Sequence, residues 1–71
     1  MYENLRQLRK QCNISGEEVA RILGLTKATY SKKENGLVKF SLEEAKIIST
    51  VLNKSIEEIF FEYEVSKNDT N

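Results

Sequence analysis

Along most of the chain, apolar side chains return every three or four residues, the period of one helix face, and only at the carboxyl end do they alternate. Leu5, Leu8 and Cys12 form the first such stripe and predict a helix over 2–12 with those three residues inward and Arg6, Arg9 and Lys10 on the other side. Val19, Ala20, Ile22 and Leu23 predict a second helix over 15–23. A third, over 26–35, lies between Thr26, which can cap it, and Gly36, which can end it. Leu42, Ala45, Ile48, Val51 and Leu52, widened by Ile47, predict a fourth over 41–52 whose stripe belongs to the core. Ile56, Ile59 and Phe60 predict a fifth over 55–61.

Local capping chemistry supports these boundaries. Ser15 with Glu18, Ser41 with Glu44 and Ser55 with Glu58 each have the spacing of a capping box. In that arrangement the serine hydroxyl accepts from the backbone N–H three residues on, and the glutamate reaches back to the serine N–H. Gly24 offers the left-handed conformation that closes a helix, and Asn53 stands as a terminator of the fourth. The loop Leu37-Val38-Lys39-Phe40 carries apolar residues, so part of it is expected to tuck against the core. Phe60 and Phe61 are adjacent, so at most one can face that core. After them Phe61, Tyr63 and Val65 alternate with Glu62 and Glu64, a strand-like period of two, and residues 66–71 are polar.

From about Leu5 to Phe60 the chain resembles the repressor and Cro type, or XRE-type, helix-turn-helix family of bacterial and phage transcription regulators. The resemblance rests on Glu18-Val19-Ala20, Leu23-Gly24-Leu25-Thr26, Glu34-Asn35-Gly36, Ser41-Leu42-Glu43-Glu44-Ala45 and Ser55-Ile56-Glu57-Glu58-Ile59-Phe60. It implies an all-α, five-helix lambda-repressor-like domain over residues 1–61 followed by a tail over 62–71. The helix over 26–35 would then enter a DNA major groove. Three positions depart from the family pattern. Gly16 stands where a glutamine is common, and Tyr30 and Lys33 where Ile, Val or Leu are. The tyrosine can bury its ring with a wet hydroxyl, and the lysine can lay its stem on the core with its ammonium outside.

By the same resemblance Lys27, Ala28 and Lys32, with Thr29 next, match positions that read base edges. Arg9, the Gly16 backbone N–H, Thr26, Asn35 and Lys39, with Lys10 and Lys33 as lesser candidates, flank that helix as phosphate contacts. Arg9 is placed opposite Glu34, with which a partly buried ion pair is implied. Family members bind two half-sites as dimers. The expected contact in this chain is Phe61, Tyr63 and Val65, with a tail folded back on its own domain as the competing arrangement.

Composition bounds these readings. Seventy-one residues suffice for one domain, and one cysteine permits no internal disulfide. Cys12, on its apolar stripe, reads as a small core residue rather than a nucleophile. Nothing resembles a signal peptide or membrane span, and a cytoplasmic location is expected. The net charge is zero but polarised: residues 1–40 hold eight basic and four acidic groups, residues 41–71 three basic and seven acidic. Such a chain can offer phosphates a positive face. The pairs Glu17-Glu18, Glu43-Glu44 and Glu57-Glu58 occupy first turns, where capping explains them better than catalysis. With no histidine and no phosphate loop, neither an enzyme nor a bound cofactor, metal or small ligand is expected. Two binding readings remain: a sequence-specific regulator on double-stranded DNA, or an antitoxin-like protein-interaction module with secondary DNA binding. The outward residues Lys27, Ala28, Thr29, Ser31 and Lys32, without a large apolar side chain, favour DNA.

Overall fold

A computed structural model describes residues 2–61. They form five α-helices, α1 (Glu3–Gln11), α2 (Gly16–Leu23), α3 (Lys27–Glu34), α4 (Leu42–Leu52) and α5 (Ile56–Phe60), with no strand among the described residues. The alternating segment with Tyr63 and Val65, expected as a dimerisation strand, and the polar end after it lie outside the described residues.

Most boundaries have a local cause. All three capping boxes form: Ser15, Ser41 and Ser55 accept from Glu18, Glu44 and Glu58 N–H, while those carboxylates accept from the serine N–H groups at 2.9–3.0 Å. Two serine-capped helices stop at residues in the left-handed region, α2 at Gly24 (φ 75°) and α4 at Asn53 (φ 56°). Glycine adopts that conformation without steric cost, and asparagine is one of the few other residues that tolerate it. At the α2–α3 corner, Gly24 lets Leu25 N–H reach back to Ala20 O at 2.8 Å, which closes the turn and leaves Leu25 packed against the core.

The core draws on every helix: Leu5 from α1, Val19 and Ala20 from α2, Tyr30 from α3, Ile48 and Leu52 from α4, and Ile59 from α5. Tyr2, Phe40 and Phe60 extend it as an aromatic group, each ring 5.3–5.6 Å from the others, and Tyr30 joins through Phe40 at 6.0 Å. Phe40 is thus the member of the 37–40 loop that tucks in, while Leu37 and Val38 stay exposed. Phe60 packs on the core and Phe61 points away. Side chains also close the bundle, as Asn4 donates to Glu58 O and Ser49 to Lys54 O.

Three core expectations fail at helix ends or edges. Cys12 is exposed, because α1 ends at Gln11 and the stripe overruns the part of the helix that has neighbours. Ile22 is half exposed, since at about 100° per residue it sits roughly a quarter-turn off the stripe of Val19, Ala20 and Leu23. Leu42 is 67% exposed; it opens α4 one turn before the first buried position, Ala45. A direct test compares two isoleucines. Ile48→Ala should lower unfolding free energy in urea by about 2–5 kcal/mol, and Ile22→Ala by about 0.5 kcal/mol or less.

Candidate nucleic-acid interface

The third helix has two faces of different chemistry. Lys27, Ala28, Ser31 and Lys32 are exposed and Thr29 is partly so, whereas Tyr30 and Glu34 are buried. Eight residues make it about 12 Å long, close to the width of a B-form major groove. Its N-terminus differs from those of α2, α4 and α5. Each of those has two glutamates in the first turn, and α3 has none. Thr26 caps it by accepting from Thr29 N–H at 3.1 Å and donating to the Thr29 hydroxyl at 2.9 Å, which leaves the Thr29 hydroxyl hydrogen available outward.

The inner face is held by polar contacts. Glu34, 9% exposed, receives Arg9 Nε at 3.0 Å and a terminal guanidinium nitrogen at 3.2 Å, and the Tyr30 hydroxyl donates to it at 2.7 Å. The other terminal nitrogen of Arg9 donates to Ile14 O at 3.0 Å, and Tyr2 N–H donates to Glu34 O at 2.9 Å. Hydrogen bonding to Glu34 raises the Arg9 pKa further, against the opposing effect of burial. Burial, and then the Glu34 carboxylate, push the Tyr30 hydroxyl well above its ordinary value, so it stays a neutral donor. The hydroxyl is therefore not wet, contrary to expectation. It is the third partner of Glu34, and the spacing of four between Tyr30 and Glu34 on one helix face was its sequence signal.

Lys33 also differs from expectation. Its ammonium binds both oxygens of Glu44 at 2.7 and 2.9 Å, with the two side chains only 13% and 16% exposed. One carboxylate thus caps α4 and anchors the end of α3. Nothing in the spacing of these two residues announced this pair. Gly16 opens α2, and a Cβ there would lie 3.4 Å from the Tyr30 ring and 3.8 Å from the Arg9 guanidinium carbon. Asn35 donates to Ser31 O at 2.9 Å. Beyond it Gly36 takes φ 84°, Leu37 N–H bonds Lys32 O at 2.9 Å, and Lys39 is left exposed.

The candidate base readers are therefore all exposed or partly exposed, with Thr26 at one end of the helix and Asn35 and Lys39 at the other. Arg9 and Gly16 lie at the buried side, against Glu34 and Tyr30. Arg9 N–H groups are engaged by Glu34 and Ile14. No helix among the described residues is long and apolar enough to cross a membrane. Comparison with known proteins finds a family model, described as helix-turn-helix, that matches residues 5–59, from one buried core residue of α1 to another of α5. No curated protein and no solved structure matches the chain.

Two outcomes follow from the ion pairs. Glu34→Ala strands Arg9 and Tyr30 and should cost about 3 kcal/mol, while Tyr30→Phe, which removes one donor to a charged acceptor, should cost about 1.5 kcal/mol; chemical denaturation measures both. Acid should weaken the caps. Glu18 and Glu58 are held below the ordinary 4.5 chiefly by their serine N–H groups. For Glu44, burial pushes upward, but Lys33 and Ser41 outweigh it and the net shift is downward. The unfolded chain binds these protons more tightly, so the stability they give is whole above about pH 5 and is lost as pH falls through the lowered values. Glu44→Gln keeps a capping side chain without the charge. It should lower Tm at neutral pH by about 4–8 °C and flatten the acid limb of Tm against pH.

Proposed function

Since the chain belongs to the XRE-type helix-turn-helix family of DNA-binding regulators, we propose that it recognises a specific duplex operator through α3 and represses transcription in the cytoplasm of a bacterium or from a phage or mobile element. The observation that carries this reading is the division of α3 into an exposed face of lysine, hydroxyl and methyl groups and a buried face fixed by hydrogen bonds. Lys27 and Lys32 donate to guanine O6 and N7, the Ala28 methyl packs on a thymine methyl, and Thr29 offers a further hydrogen bond. Thr26, Asn35, Lys39, the Gly16 N–H and Arg9 take phosphates and set the angle of the helix. Lys33 is reassigned from the phosphate candidates to holding α3 against α4. One α3 reads too few base pairs to define a site. Two copies, joined through Phe61, Tyr63 and Val65, therefore bind half-sites roughly 34 Å apart.

Selection from a random duplex pool followed by titration tests this. Lys32→Ala should lose about 1–3 kcal/mol on the selected operator and much less on unrelated duplex. An equal loss on both would make Lys32 a phosphate contact. Lys39→Ala should lower the slope of log affinity against log salt by about 0.9, and Lys33→Met should leave it unchanged. No binding to any duplex at low salt would favour a protein-interaction module.

A further inference from the structure

Two apolar side chains stand uncovered at one end of the molecule. Leu42 is 67% exposed and Phe61 45%, and both line a groove of about 290 Å³ whose other walls include Tyr2, Phe40, Ile56 and Phe60. Of its two polar side chains, Ser41 is engaged in capping α4 and Tyr2 packs its ring on Phe40 and Phe60. A metabolite would find no converging polar groups there, whereas apolar side chains would. The three rings of the wall brace one another at 5.3–5.6 Å, so the groove is part of the packed structure.

The same end of the chain carries something to fill it. Phe61 is both a groove wall and the root of the last ten residues. The first of these, Glu62-Tyr63-Glu64-Val65, continue the alternation, so an extended segment would put Phe61, Tyr63 and Val65 on one side. No Gly, Pro or Asn lies among them to turn the chain back into its own groove. Extended, four residues span about 13 Å. A donor segment and an acceptor groove side by side on one chain can both be satisfied at once by a two-fold axis between two copies.

We propose that the groove beneath Leu42 receives residues 62–65 of a second copy of this chain, with the exchange made reciprocally. Tyr63 and Val65 of each copy seat against Leu42, Ile56 and Phe60 of the other. This deepens the dimer reading above and rests on it.

Two full-length variants separate groove from tail: Leu42→Glu, at an exposed position, and Tyr63→Ser with Val65→Ser. Thermal melts close to wild type establish that both fold. In sedimentation equilibrium each variant alone should associate at least ten-fold more weakly than wild type. An equimolar mixture should regain association, because the tail of the first fits the groove of the second. A mixture that associates no better than its components, or wild type that associates no better than Leu42→Glu, overturns the proposal. Half-site binding, which needs only one α3, is measured on the same proteins. If it persists where association is lost, the defect lies in the interface. If wild type binds no half-site, the DNA reading falls and the mixing result still decides the groove.

Discussion

A carboxylate inside a five-helix core is costly to strip of water, and the arrangement of this molecule follows from how Glu34 is satisfied. Arg9 supplies two hydrogen bonds and Tyr30 a third, the remaining terminal nitrogen of Arg9 holds the α1–α2 loop at Ile14, and the start of α1 bonds the Glu34 carbonyl. One side chain thereby sets the relative position of α1, its loop and α3. The sequence of α3, Lys-Ala-Thr-Tyr-Ser-Lys-Lys-Glu, buries only Tyr30 as an apolar anchor. Apolar contact alone would leave such a helix free to rock. Hydrogen bonds to Glu34 and from Lys33 to Glu44 are directional, and they fix the angle at which its exposed face is presented.

Gly16 and Tyr30 make better sense together than apart. Each departs from the resembling family, the first by losing a side chain and the second by gaining a ring. In the fold the ring lies at ordinary van der Waals distance from the place a Cβ on residue 16 would occupy. The larger residue on α3 faces the smaller one on α2, so the volume between the two helices is kept. The added hydroxyl then becomes a third donor to Glu34.

What could be read from the sequence was what neighbours along the chain decide. Serine and glutamate three apart define a cap whatever surrounds them, which is why α2, α4 and α5 begin within a residue of their expected starts. Periodicity also located the core, but it measures the angle around a helix and not the distance along it. Cys12 and Leu42 have side chains at helix ends, where the neighbouring helices no longer reach. The Lys33–Glu44 pair depends on how two helices meet across the loop between them, and local spacing does not encode that crossing.

The contrast among the helix N-termini has a consequence for motion in solution. A polyanion nearing the starts of α4 or α5 meets paired carboxylates, while at α3 it meets a threonine-capped end without a carboxylate, and Lys27. The molecule thus carries a torque as well as an attraction. In the field of a rod of negative charge it turns before it touches, so a larger share of collisions arrive with α3 foremost. Added salt shortens the range over which that turning begins.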